Sequence, residues 1–375
     1  MSFWKGKRVF LTGHTGFKGS WLSLWLQGRG AKVRGYALES GTSPNLFETA
    51  SVAGGMDSRI GDIRDYTRLQ AEMADFKPEI AFHLAAQPLV RYSYENPLET
   101  YSVNVMGTAN FLESARTCKS IRSIVVITTD KCYENKEWPW PYRENDRLGG
   151  YDPYSNSKAC AEMVVSAFRD SYFNPKQFSS HGVGVASARA GNVIGGGDWS
   201  ADRLIPDIVR AFSARTPVRI RNPFAIRPWQ HVLEPLNGYL LLAEALYQKG
   251  GSFSGGWNFG PLATDAMPVG EIADRMAKLW GEEASWQVDE GLHAHEANTL
   301  KLDCTKATEQ LDWKPLLNIE EALALTFAWY EAWFKKSDVR AVTLRQIEDY
   351  EVLAAKREDR IGKDSQVTQG IHESC

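Results

Sequence analysis

Residues 8–22 read RVFLTGHTGFKGSWL, and the fold turns on how this stretch is read. RVFLT is a short apolar strand, and from Phe17 to about Gln27 the apolar spacing predicts a helix. Between them stand Gly13, Gly16 and Gly19. A glycine at the first position permits a tight turn out of the strand. At the second it lets a pyrophosphate approach the backbone, and at the third it lets the helix pack close to the sheet. The N-terminus of that helix would then offer free N–H groups and a partial positive charge. The spacing alone is common; its placement between first strand and first helix is what gives it meaning.

Working outward, the same rhythm repeats. Strands are expected at 32–38, 79–86, 123–129 and 182–189, and helices at 65–76, 98–118 and 154–172. Strands alternating with helices of ten or more residues predict an α/β fold with a doubly wound parallel sheet, and near-continuous apolar strands fit a sheet covered on both faces. After Arg189 the rhythm changes to GNVIGGGDW and shorter elements with several prolines. The expected organisation is a dinucleotide-binding domain at 1–188 with a return near 230–258. A smaller, interleaved substrate-binding domain would take 189–229 and 259–335. A charged amphipathic helix at 337–356 and a polar, mobile tail from about Arg357 would make up the segment 336–375.

Composition narrows the class. The chain has 375 residues, 43% hydrophobic and 24% charged, with a formal net charge of −3, which gives no sign of a nucleic-acid or membrane surface. Any anionic ligand must be held by local donors. The start, MSFWKGKRVFLTG, has no signal-peptide pattern, and no stretch approaches the ~20 apolar residues of a membrane span. Five scattered cysteines without a CxxC fit a reduced, cytoplasmic protein without structural zinc. His293 and His295 have a metal-like spacing but no other ligands nearby, so no metal is expected. The 13 tryptophans are read as core and interface filling.

Two further stretches carry chemistry. In YDPYSNSKACAE (151–162), Pro153 can open a helix, so Tyr154 and Lys158 share one face. An adjacent ammonium is expected to lower the tyrosine pKa from ~10 toward neutrality. Such a tyrosine can take a proton from a sugar hydroxyl while the carbon gives its hydride to nicotinamide. The other Tyr-x-x-x-Lys, Tyr172 to Lys176, contains Pro175 and loses the shared face. In TTDKCY (128–133), Thr129, Asp130 and Lys131 follow the end of a strand. They form either a surface turn with an ion pair or an acid and a base set for proton transfer. The second strand ends GYALES, with no Asp and no arginine pair for a 2′-phosphate, so it leans only weakly to NAD over NADP.

Together Gly13, Gly16 and Gly19, the AA of HLAAQ (83–87), Asn104, Thr129, Tyr154, Lys158 and RAGNVIGGGDW (189–199) resemble an extended short-chain dehydrogenase/reductase over about residues 8–330. GHTGFKGSWL, TTDKCYEN and RPWQHVLEPLNGYL are similar to the nucleotide-sugar 4,6-dehydratases. The resemblance implies a Rossmann sheet and NAD held by Gly13, Thr15, Gly16, Phe17, Lys18, Gly19, Asp62, Ile63, Leu84, Ala85, Ala86 and Asn104, with Tyr154 and Lys158. It implies CDP-glucose as the substrate, with Asn192 and Arg227 as diphosphate contacts by family position. Arg219 and Arg221, alternating on a short strand, share one face that could reach the nucleotide, and Arg203 and Leu204 in DRLIP are further candidates. Tyr154, aided by Lys158 and Thr129, would take the C4 hydroxyl proton. Asp130 would protonate the departing C6 hydroxyl. Many relatives have Glu where Lys131 stands, so Lys131 is either the C5 base or a residue that orients Asp130 or the 4-keto oxygen. Gln87, Pro88 and Leu89 depart from the Ser-His of thymidine-linked relatives, and His83 reads as a strand residue beside the cofactor. The resemblance also implies a homodimer through helices 98–118 and 154–172, with a tetramer possible, and 3,6-dideoxyhexose supply for lipopolysaccharide O-antigen. The same scaffold supports 4-epimerases and 4-reductases, but Asp130 and Lys131 after Thr129 argue for dehydration. A non-catalytic NAD-binding regulator is a remoter alternative, against which the intact Thr129, Tyr154 and Lys158 set counts.

Overall fold

The computed structural model describes residues 2–281, 284–291 and 299–372. His293 and His295 lie outside the described residues. The strands are β1 (Arg8–Thr12), β2 (Lys32–Ala37), β3 (Asp57–Ile60), β4 (Ile80–His83), β5 (Ser123–Ile127), β6 (Gly184–Ala190), β7 (Asn192–Ile194), β8 (Val218–Ile220), β9 (Ile226–His231), β10 (Gly255–Phe259), β11 (Ala266–Pro268) and β12 (Trp286–Val288).

Seven of them form one sheet in the order β10-β6-β5-β4-β1-β2-β3, and every pairing in it is parallel. The strand order reverses between β1 and β4, which places a crevice outside their carboxyl ends. β4, β5 and β6 are buried along their whole length, as strands covered on both faces must be. Alternation along β1 builds both cores. Val9 and Leu11 face helices Phe17–Gly28 and Leu233–Lys249, while Phe10 faces helices Tyr66–Phe76, Gly107–Thr117 and Pro153–Tyr172. Trp21, Trp25, Trp257, Trp313 and Trp329 are almost wholly buried in the first core, which is where most of the large aromatic volume went.

β6 runs through Gly191 into β7, the edge of a small sheet ordered β11-β9-β7; β12 and β8 pair beside it. Helix Leu233–Lys249 then carries the chain back, and β10 closes the edge of the large sheet against β6. The chain thus passes back and forth between a large sheet and a small cap, and the gap between them becomes a cavity.

Two elements differ from expectation. The helix expected at 98–118 is helical throughout but changes pitch, with a π-helical turn at Ser102–Met106 between Pro97–Tyr101 and Gly107–Thr117. Asn104 sits in that turn, and such turns are frequent at functional sites. The C-terminal helix spans Val339–His372, so the polar stretch after Arg357 is helical as well. This helix docks on the first one: Glu351 accepts hydrogen bonds from Trp25 Nε1 and Arg29 Nε, each at 2.7 Å.

Candidate active site

A cavity of about 430 Å³ lies between the sheet and the cap, a size suited to a small ligand. Thr129, Asp130, Lys131, Tyr154 and Lys18 line one bank. Asn192, Arg203, Leu204, Arg219, Arg221 and Arg227 line the other.

The sheet-side bank is built by β5 and one helix. Just beyond β5, Thr129 caps the short turn Asp130–Cys132: its Oγ accepts the Lys131 N–H at 3.3 Å and donates to Asp130 Oδ1 at 2.9 Å. The same hydroxyl bonds Tyr154. Asp130 is 2% exposed, and its carboxylate lies over Gly191. A Cβ at 191 would sit 2.9 Å from Asp130 Oδ2 and 2.8 Å from the Pro228 ring, so only glycine leaves room for the acid. Burial raises the Asp130 pKa, against the opposing pull of Lys131, Thr129, Arg227 and Lys18. A carboxyl held partly toward its neutral form suits a proton donor. Lys131 is half-buried beside it.

The helix Pro153–Tyr172 starts where Asp152 caps it. The Asp152 carboxylate accepts from Ser155 N at 2.9 Å and Ser155 Oγ at 2.6 Å, with Pro153 in the first turn. Tyr154 and Lys158 are both buried there, and Lys158 Nζ reaches the Ile127 carbonyl at 3.4 Å. The expected lowering of the tyrosine pKa is not what this arrangement produces. Burial pushes Tyr154 up to about 12, offset by Thr129 and Arg203. Burial also pulls Lys158 down to about 8, opposed by Glu162 and Cys132. Desolvation of each group outweighs the opposing pull of its neighbours.

The glycine loop fits a dinucleotide. Gly13 takes φ +77°, and a Cβ there would strike Ala85 N at 2.6 Å; a Cβ at Gly19 would strike the Gly13 carbonyl at 2.0 Å. The Phe17–Gly28 helix begins with no side-chain cap and no acidic residue in its first turn, which leaves its N–H groups for an anion. Thr15 Oγ is tied to the Leu38 carbonyl at 2.8 Å. Lys18 points into the cavity; burial brings its pKa down to about 8, with Arg203 and Lys158 acting in the same direction.

The loop Leu84–Gln87 runs beside it. Thr12 Oγ accepts from Leu84 and Ala85 N–H at 3.2 and 3.3 Å. Asn104 clamps the loop's end: Oδ1 accepts Gln87 N at 2.8 Å, and Nδ2 donates to Gln87 O at 3.0 Å and Ser157 Oγ at 2.9 Å. It therefore couples the loop bearing Ala85 and Ala86 to the helix bearing Tyr154. His83 bonds Thr12 at 2.8 Å and Thr108 at 3.2 Å, stacks on Phe111, and is pushed by burial to about 3, so it stays neutral. Asp62 lies beyond β3, outside the cavity lining; Arg64 holds it through side-chain contacts of 2.5–3.0 Å and keeps it well ionised. Ile63 is buried against Gly107.

The cap-side bank is cationic. Arg203 pairs with Asp198 at 2.8 Å and acts electrostatically on Tyr154. Arg221 pairs with Asp202 at 3.2 Å, and Arg91 reaches the same carboxylate oxygen at 2.8 Å. Arg227 is buried and faces Asp130. Arg219 stands exposed between the buried Val218 and Ile220 of β8. Arginines in such number beside a buried acid can hold a diphosphate while proton transfer occurs at the far end.

Sequence reasoning did not assign Gly191, Asp198, Asp202, Arg91 or the wall Pro88–Val90, all of which line this cavity. Gly191 and Asp198 lie within RAGNVIGGGDW, but only their three-dimensional neighbours reveal what they do. Among the described residues no group of three or more His, Cys, Asp and Glu could hold a metal ion.

Comparison with known proteins gives this geometry a family. The family model described as GDP-mannose 4,6 dehydratase matches residues 10–326. The chain is 59% identical over 349 residues to CDP-glucose 4,6-dehydratase of Salmonella typhimurium, covering 93% of this chain and 97% of that one. It is 24% identical to human GDP-mannose 4,6 dehydratase over 84% of this chain and 88% of that one. Among solved structures, an epimerase of Methanothermobacter thermautotrophicus superposes with TM-score 0.77 at 23% identity over 90% of this chain and 95% of the other. A dTDP-glucose 4,6-dehydratase of Bacillus anthracis in complex with NAD gives 0.72 at 20%, over 89% and 100%. The chain belongs to the GDP-mannose 4,6 dehydratase family of extended short-chain dehydrogenase/reductases.

Proposed function

We propose that the chain dehydrates CDP-D-glucose to CDP-4-dehydro-6-deoxy-D-glucose with NAD as its resident cofactor, a hydro-lyase reaction. The observation that carries this is the buried Asp130 beside Thr129 and Tyr154 at one end of a cavity whose other bank is cationic. Extensive identity to a CDP-glucose 4,6-dehydratase supports the choice of nucleotide.

NAD supplies, when bound, reversible acceptance of a hydride; Gly13, Gly16, Gly19 and the helix that follows would hold its pyrophosphate. Tyr154, hydrogen-bonded to Thr129, takes the C4 hydroxyl proton. The buried Lys158 ammonium stabilises the Tyr154 phenolate that accepts this proton. Once C4 is a ketone, the C5 proton is acidified. We assign its removal to Lys131, while Asp130 gives its proton to the departing C6 hydroxyl. Water leaves a C5–C6 double bond; C6 regains the hydride given up at C4 and C5 takes a proton from solvent, so C6 ends as a methyl carbon. Arg203, Arg219, Arg221 and Arg227, with Asn192 and the Leu204 helix start, hold the nucleotide diphosphate.

The chain is also proposed to act in the cytoplasm as a homodimer. Leu98, Met106, Met163 and Tyr172 stand more than half exposed along the two helices at 97–117 and 153–172, where a second copy would cover them. No helix among the described residues is long and apolar enough to cross a membrane.

The test incubates the protein with NAD and, separately, CDP-, dTDP-, GDP- and UDP-glucose in heavy water, followed by mass spectrometry. Loss of water from CDP-glucose, with one deuteron gained at C5, is the expected result. Product from none of the four would overturn the reading; product from another nucleotide alone would overturn the choice of base.

A further inference from the structure

One helical turn beyond Lys158 the same helix buries a carboxylate that the reaction does not touch. Glu162 receives hydrogen bonds from Thr128 Oγ at 2.5 Å, Ser187 Oγ at 2.6 Å and Arg189 Nη2 at 2.7 Å. The Glu162 and Arg189 side chains are 3% and 5% exposed. Arg189 in turn donates to the Tyr133 hydroxyl at 2.7 Å and the Glu144 carbonyl at 3.0 Å, and lies over the Tyr133 ring. Tyr133 passes the chain on to Asn258 of β10 at 2.7 Å.

The placement matters more than the pair itself. Thr128 immediately precedes Thr129, so the Glu162 bond fixes the strand end that carries the proton-transfer group. Ser187 and Arg189 lie on β6, two strand positions and more before Gly191, the residue that makes room for Asp130. Glu162 thus ties three backbone segments that converge on the reacting end. It also shares a helix face with Lys158, four residues away, where its charge opposes the desolvation of the ammonium. A buried pair of this kind gains little stability over an apolar replacement, whereas fixing one geometry is a reason to keep it.

We propose that Glu162 is a positioning residue for the C4 oxidation step: it holds Thr129 in place through Thr128 and provides the counter-charge of Lys158. This rests on the dehydratase reading above.

The groups facing Lys158 are Glu162, Cys132 of the turn, His83 of β4 and Lys18 of the first helix. Those facing Glu162 are Arg189, Thr128 and Ser187, with Lys158 and Cys132 acting on it through charge. Burial keeps His83 and the Cys132 thiol neutral at pH 7–9, and Arg189 stays charged. Lys18 titrates in the same window as Lys158, so the measurement is repeated in a Lys18→Met background. The readout is the initial rise of reduced-cofactor absorbance in a single turnover, against pH, which reports C4 oxidation before elimination lets the signal decay. In Glu162→Gln, loss of the negative charge lets Lys158 deprotonate sooner, so the alkaline limb moves to lower pH by about one unit, in both backgrounds. In Thr128→Val the limb stays in place and the rate falls about tenfold, with recovery in Thr128→Ser. An unmoved limb in a folded Glu162→Gln protein overturns the charge role. Full turnover in Thr128→Val overturns the positioning role, and this second arm stands if Glu162→Gln does not fold. Wild-type protein that fails to turn over CDP-glucose indicts the dehydratase reading instead, so the two failures are told apart.

Discussion

The two banks of the cavity solve opposite problems. On the sheet side, Asp130, Thr129, Tyr154 and Lys158 are all less than a tenth exposed, and burial is the largest influence on each of the three titratable groups among them. On the cap side, Arg221 remains 23% exposed and pairs with Asp202, which also holds Arg91, 53% exposed, from the helix Val90–Glu95 across the cavity, while Arg203 leans on Asp198. Proton transfer gains from a dry setting, where fixed charges act strongly. Diphosphate capture gains from arginines already held in place by carboxylates that a more highly charged ligand can displace. The catalytic bank is therefore rigid and intolerant, the binding bank exchangeable and sensitive to salt.

The largest effect should come from the least tolerant position. Tyr154→Phe keeps the ring's packing and removes the hydroxyl bonded to Thr129. It should lower kcat about 10³-fold and abolish the single-turnover rise of reduced cofactor, while KM for CDP-glucose changes little. A KM effect as large as the kcat effect would break the division between banks.

Asp130→Asn comes next, at about 10²-fold in dehydration. Because Asp130 serves only the elimination, C4 oxidation should survive: the reduced cofactor should form and persist instead of decaying. Loss of oxidation as well would mean that Asp130 acts through Thr129, to which it is bonded at 2.9 Å, and not as the acid for C6.

How much of this was legible in sequence follows from distance along the chain. The Gly13–Gly19 loop, the Thr129–Lys131 turn and the Tyr154–Lys158 face are each complete within a few residues, and local periodicity exposes them. The parallel sheet was legible as well, because βα alternation repeats. What stayed hidden depends on contacts between remote segments. Gly191 matters because Asp130 lies over it, 61 positions earlier. Asn104 is recognisable by motif, yet its clamp on Gln87 and Ser157 exists only once a π turn aims it. The direction of the Tyr154 shift was misjudged because a helical wheel shows the neighbouring lysine but not the protein packed around both. Even Asp62, conspicuous in GDIRD, is tied up by Arg64 two residues on.

The binding bank should respond more mildly. Arg203→Met should raise KM for CDP-glucose about tenfold with kcat within about threefold. Since Arg203 also faces Tyr154, a fall in kcat larger than the rise in KM would move it to the catalytic bank. Raising the salt from 50 to 500 mM should weaken wild-type binding more than that of the variant, because only the former retains this charge to be screened.

The smallest effect is expected at Asp202, where the two arginines meet. Asp202 sits at φ +60°, a left-handed conformation that a carboxylate side chain tolerates better than alanine does. Its ion pairs to Arg91 and Arg221 are half exposed, and pairs of that kind contribute about 0–1 kcal/mol. Asp202→Asn keeps the backbone preference and drops the charge; Asp202→Gly drops both but relieves the conformation. Both should stay within about 1 kcal/mol of wild type in stability, and both should bind CDP-glucose at least as tightly at low salt, because two arginines no longer have to leave a carboxylate to reach the diphosphate. A tenfold loss of affinity in Asp202→Asn would mean that Asp202 is part of the bound state and not a placeholder for the ligand. The cap would then be as preorganised as the sheet side, and the contrast between the banks would reduce to one of exposure alone.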